Sequence, residues 1–120
     1  MPFLADTNVL LRLLQRGDPD HASVRAALRT LAARGERIYY VSQNLVEFWR
    51  VCTRPASVNG LGMSVSATDR WARVIERLFL LAPDRPEVHT EWRRIVVADS
   101  VTGVQVHDAR IVAAMRLQTI

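Results

Sequence analysis

The chain contains no lysine. Its sixteen basic residues are all arginine, and against twelve acidic residues they leave a formal charge of +4 at pH 7. An arginine fork donates two parallel hydrogen bonds to phosphate or carboxylate, so this positive field favours a polyanionic partner such as RNA, DNA or an acidic protein tail. The codon bias of a GC-rich genome would produce the same usage. Cysteine is nearly missing as well. The single Cys52 cannot close an internal disulfide, which excludes a disulfide-stapled scaffold, and its place on an apolar helical face reads as a buried small hydrophobe. No apolar run approaches the roughly 20 residues of a membrane span. No basic stretch precedes the N-terminal apolar run as it would in a signal peptide, so the expected compartment is the cytoplasm, with no membrane partner. Also absent are a Cys/His zinc spacing, a Walker-type glycine loop, a Gly-x-Ser-x-Gly elbow, internal repeats and low-complexity tracts.

What is present describes one globular domain over residues 1–120, with 49% hydrophobic and 23% charged residues. A chain of this size buries roughly two thirds of its unfolded surface in one core. The chain opens on Phe3-Leu4-Ala5-Asp6-Thr7-Asn8, an apolar run that ends abruptly in an acid. Strands buried on both faces read as continuous apolar runs, and a parallel α/β sheet binds its ligands outside the carboxyl ends of its strands. Asp6 is therefore expected at the mouth of a site, with Thr7 or Asn8 capping a helix over residues 9–15; the simpler alternative makes Asp6 itself the N-cap.

Helical and strand patterns then alternate. Asp18 and Pro19 start a helix that stops at Gly35, with Val24, Ala27, Leu28, Leu31 and Ala32 as its apolar stripe and His21 on the surface. Residues 37–41 form a second strand. Ser42 caps a helix over 43–53, in which Leu45, Phe48, Trp49 and Cys52 make the core ridge while Asn44, Glu47 and Val51 share another face. Residues 55–62 read as a mobile loop with an Asn-Gly turn. Ser66 has capping-box spacing before a helix reaching residue 77, with Trp71, Val74, Ile75 and Leu78 inward. Residues 79–82 form a short third strand. A helix over 88–97 packs Trp92, Ile95 and Val96 and exposes His89, Arg93 and Arg94; the segment 99–106 connects it to a last helix over 107–118, with Ile111, Val112 and Met115 on one face. Asp108 falls in that helix's first turn, where the dipole alone would favour a carboxylate. Asp99 reads as a loop residue.

Three stretches in this order, Phe3-Leu4-Ala5-Asp6-Thr7-Asn8-Val9-Leu10, Asn44-Leu45-Val46-Glu47-Phe48-Trp49 and His107-Asp108-Ala109-Arg110-Ile111-Val112-Ala113-Ala114, resemble the PIN-domain ribonucleases. That family includes the VapC toxins of bacterial toxin-antitoxin pairs. The resemblance covers the whole chain and implies a three-layer α/β/α fold with a central parallel sheet. It also implies a metal-dependent endoribonuclease of a type II toxin-antitoxin system, with Asp6, Glu47 and Asp108 as acidic catalytic and metal-holding residues around Mg2+ or Mn2+. Thr7 and Asn44 match supporting polar positions. Expected partners are an RNA substrate, a small cognate antitoxin whose segment enters the acidic cleft, and a second copy in a homodimer. The expected products carry a 5′-phosphate and a 3′-hydroxyl.

The pattern departs from the family at its end. PIN domains usually continue into another strand and a Thr-x-Asn segment with a fourth acid, whereas this sequence stops at Gln118-Thr119-Ile120, so the C-terminal strand is expected to be missing. Either the sequence is cut short or a partner chain supplies the rest, and the edge left open would favour association. Three carboxylates about 5 Å apart repel by roughly 3 kcal/mol per pair at an effective dielectric of 20, so they stay ionised together only around a cation, and a ligand set of hard oxygens selects Mg2+ or Mn2+ over zinc. The alternative reading is a truncated, catalytically weak relic that binds antitoxin or RNA. A dehalogenase-like phosphatase needs a second Asp two positions after the first, and that position is Asn8.

Overall fold

A computed structural model of the chain describes residues 2–120. Three short strands, β1 (Phe3–Leu4), β2 (Ile38–Val41) and β3 (Leu80–Ala82), pair side by side in that order and all run parallel. Parallel neighbours cannot be joined by a tight hairpin, so each crossover is helical. Helices α1 (Thr7–Leu14) and α2 (His21–Ala33) link β1 to β2, α3 (Ser42–Thr53) and α4 (Val65–Leu78) link β2 to β3, and α5 (Pro86–Ala98) and α6 (Gln105–Gln118) follow β3. No strand follows α6 among the described residues.

The sheet divides two cores, and β2 serves both because successive strand residues point to opposite faces. Tyr40 packs with Ala5, Leu10, Phe48, Cys52, Ile75 and Phe79 on the side of α1, α3 and α4. Val41 packs with Ala82, Val88, Ile95, Ile111 and Ala113 on the side of α5 and α6. The expected three-layer α/β/α architecture is thus present, with the carboxyl ends of β1 and β2 leading into α1 and α3. No helix among the described residues is long and apolar enough to cross a membrane.

Several local expectations shift, each for an identifiable reason. Helix α1 begins at Thr7, not Val9, because the Asp6 side chain accepts from the Thr7 N–H and serves as the N-cap. Asp18 is not the cap of α2; its carboxylate turns back to the Asp20 N–H, and the helix starts at His21, whose Nδ1 pairs with the Arg12 carbonyl at 2.7 Å and leaves the ring half-buried. In α2 no residue is fully buried, and Ala27 and Ala32 stay exposed. Ser64, not Ser66, caps α4 by accepting from the Ala67 N–H, and Leu78 faces solvent. In α6 the first turn starts earlier, at Gln105, and Val112 is exposed. The segment 55–62 is pinned rather than loose: Leu61, Gly62 and Met63 donate their N–H groups to the carbonyls of Val51, Arg54 and Cys52. A Cβ at Gly60 would stand 2.0 Å from the Arg54 carbonyl oxygen, so this close approach requires glycine.

Candidate active site

The ends of β1 and β2 bring together four side chains from two distant stretches of sequence. Asp6 leaves β1 and caps α1, which places its carboxylate at the sheet's edge in solvent, with Oδ1 accepting from the Thr7 N–H at 2.8 Å. The Thr7 hydroxyl, nearly buried, donates to Glu47 Oε2 at 2.7 Å. Asn44, fully buried on α3, accepts the Val41 N–H at Oδ1, 2.9 Å away. A backbone N–H can only donate, so this bond fixes the amide and turns Nδ2 toward Asp6 Oδ1 at 3.4 Å and Thr7 Oγ1 at 3.5 Å. Asn44 therefore does two jobs at once, satisfying the backbone entering α3 and linking Asp6 to Thr7, whose hydroxyl reaches Glu47.

This placement corrects the wheel read from sequence. The buried stripe of α3 is Asn44, Phe48 and Cys52, spaced four apart, while Leu45 and Trp49 are only half-buried. An asparagine looks misplaced on a core face until its partners are known. Glu47 sits beside that stripe, half-buried. Its other oxygen, Oε1, accepts from Gln43 Nε2 at 3.1 Å, and the same nitrogen donates to the His107 carbonyl at 3.0 Å. Sequence reasoning passed over Gln43. The available signal was its position one helical turn before Glu47, where i,i+4 side chains meet.

Asp108 follows that carbonyl in the chain and lies exposed in the first turn of α6, with no hydrogen bond or salt bridge among the described residues. The structure thus joins Asp6, Thr7, Asn44 and Glu47 directly and reaches Asp108 only through Gln43 and the backbone. Among the described residues, no three acidic, histidine or cysteine side chains stand close enough to hold one metal ion. The donor chemistry nevertheless fits a hard divalent cation: among the described residues Asp6 Oδ2 and the Asp108 carboxylate accept no hydrogen bond, and the ligand atoms of the three acids are all oxygen. Asp99, at the C-cap of α5, takes no part.

The chain's side-chain cations are all arginine. Arg12, Arg73, Arg94, Arg110 and Arg116 form salt bridges with carboxylates, whereas Arg25, Arg29, Arg50 and Arg93 have none among the described residues. Arg50 lies three residues beyond Glu47 on the same helix and is exposed.

The PIN domain family matches residues 3–120. Among solved structures the chain is similar to Mycobacterium tuberculosis VapC20, described as a sarcin-ricin loop cleaving toxin. The identity is 20%, the match covers 100% of this chain and 85% of that one, and the TM-score is 0.69. At that identity the likeness is one of fold. No curated protein matches the chain.

Proposed function

We propose, on the premise that this chain belongs to the PIN-domain family, that it is a divalent-metal-dependent endoribonuclease and the toxin of a type II toxin-antitoxin pair. The observation that carries this reading is the bridge from Asp6 through Asn44 and Thr7 to Glu47, which draws two acids 41 positions apart in sequence to one mouth at the carboxyl ends of parallel strands. A fold gains no stability from bringing unpaired carboxylates together, so such convergence points to chemistry. Asp6, Glu47 and Asp108 would hold Mg2+ or Mn2+, which when bound supplies the Lewis acidity for in-line hydrolysis of a phosphodiester.

The protein's own groups prepare the site. Thr7 and Gln43 each donate to one Glu47 oxygen and fix the direction of that carboxylate, while the Thr7 N–H and Asn44 engage Asp6 Oδ1 and leave Oδ2 facing outward. The unpaired arginines offer forks to the RNA backbone, and Arg50 stands nearest in sequence to the acids. In this reading a small antitoxin covers the mouth, a second copy completes a basic groove as a homodimer, and the protein works in the cytoplasm.

The test is an RNA cleavage assay in Mg2+ or Mn2+ with wild-type protein, Asp6→Asn, Glu47→Gln and Asp108→Asn. Cleavage is expected to cease with chelator and to fall by at least about 100-fold in Asp6→Asn. Unchanged cleavage in all three variants would show that the activity resides elsewhere. A second reading, a module that binds RNA or antitoxin without cutting, draws on the open arrangement in which Asp108 stands apart from Asp6 and Glu47. It predicts that the wild type retains RNA and leaves it intact in both metals.

A further inference from the structure

We propose that Gln43 is a positioning residue of this site, joining Glu47 to the first turn of α6 and thereby setting the distance at which Asp108 faces the other two acids. The inference rests on the nuclease reading above and adds to it the coupling of two helices.

The first turn of α6 is lightly held. Val104, its N-cap, contributes no side-chain hydrogen bond, and residues 102–105, His107 and Asp108 are exposed. Two side chains tether the turn to the rest of the molecule. Trp92 Nε1 donates to the Val106 carbonyl at 2.8 Å, which ties α6 to α5, the helix it packs along on the far side of the sheet. Gln43 Nε2 donates to the His107 carbonyl at 3.0 Å, and this is the one hydrogen bond among the described residues between the turn and the helix that carries Glu47. An amide nitrogen has two hydrogens, and Gln43 spends the second on Glu47 Oε1 at 3.1 Å. The nitrogen is thus saturated by two acceptors that belong to opposite sides of the mouth.

An i,i+4 glutamine-glutamate pair on a helix surface is a common local contact. The bond to His107 is different, because its partner lies 64 residues away and directly precedes Asp108. If Gln43 released that carbonyl, α6 would stay on α5 through Trp92, the Arg110–Asp84 pair and the apolar face, and the first turn would lose its direct bond to the helix that carries Glu47. A side chain that orients a carboxylate ligand without touching the ion typically changes affinity by roughly 10–100-fold when removed.

Mn2+ binding to the full chain, read by the loss of free-ion electron paramagnetic resonance signal, tests this without any RNA. Gln43→Leu keeps the bulk and removes both donors; Gln43→Asn keeps the amide but is one methylene short, and serves if the leucine variant does not fold. Both are expected to bind Mn2+ roughly 10–100-fold more weakly than the wild type, and to show a smaller loss when Asp108 is already Asn, the remainder being the share that acts through Glu47 alone. Faster amide hydrogen exchange is expected in residues 106–110 with α3 unchanged. Equal Mn2+ affinity with and without Gln43, or the same loss in the Asp108→Asn background, would overturn the positioning role while leaving the site intact. Wild-type binding indifferent to both Asp6→Asn and Asp108→Asn would instead overturn the metal site and the positioning role together.

Discussion

Asn44 shows how much one buried polar residue can carry. Its oxygen satisfies the Val41 N–H at the start of α3, and its nitrogen spans Asp6 and Thr7, so both ends of the fully buried amide have partners. Asn44→Ala would orphan a buried N–H and remove the bridge together, and the unmade bond alone is worth about 1–3 kcal/mol. We expect urea unfolding to show a loss of that size with an unchanged m-value; a loss of a few tenths would mean that water replaces the amide. Residues of this kind resist reading from sequence, because a helical wheel ranks positions by apolarity and puts asparagine outside. The resemblance assigned Asn44 a supporting role, while periodicity placed it on the wrong face. Cys52 was the easier case. A lone cysteine among Phe48 and Trp49 reads as apolar filling, and burial does push its thiol up to about 11, out of reach of ordinary thiol chemistry.

The pairing of α5 with α6 depends on charge as well as on Val88, Ile95, Ile111 and Ala113. Glu91 on α5 accepts from Arg94 one turn along and from Arg116 on α6, and these guanidinium groups, Arg94 foremost, hold its carboxyl down at about 2 against an ordinary 4.5. A carboxyl depressed in the folded state stabilises it above its unfolded pKa, and that contribution fades as pH falls from about 4.5 toward 2. Arg94→Ala should let Glu91 titrate closer to its ordinary range in a carbon-13 NMR pH series and flatten the acid limb of stability. A Glu91 resonance still titrating near 2 would assign the effect to Arg116. At this scale the sequence was most legible where period and burial coincide. The six α-helices and three strands were visible, as were the α/β order and the parallel sheet, whereas the 3-10 turn Ala56–Val58 sat inside a stretch that read as loop. Caps were less legible. Asp6 and Ser64 compete with neighbours of equal capping ability, and which one wins depends on how the preceding chain enters the helix rather than on local composition.

The whole molecule combines an acidic mouth with an arginine-rich exterior, and the opposition has a consequence for how RNA would approach. On the proposed function, phosphates would be drawn by the general field and by forks such as Arg50, yet the mouth itself would repel them until its carboxylates are neutralised. Binding and cleavage therefore respond differently to ions. In chelator, single-stranded RNA should bind with a steep salt dependence, each neutralised phosphate contributing about −0.7 to the slope of log affinity against log salt. Arg50→Ala should reduce the slope's magnitude by about that amount and weaken all sequences alike, since a phosphate contact carries no base information. Fluorescence anisotropy across a salt series reads both quantities. The comparison must be made without divalent cation, because a cation at Asp6 and Glu47 would remove the repulsion that Arg50 works against and so mask its share. A flat salt response in the wild type would mean that the arginines answer to a protein partner, and an Arg50→Ala slope equal to the wild type's would move the phosphate track off α3 toward Arg25 and Arg29 on α2.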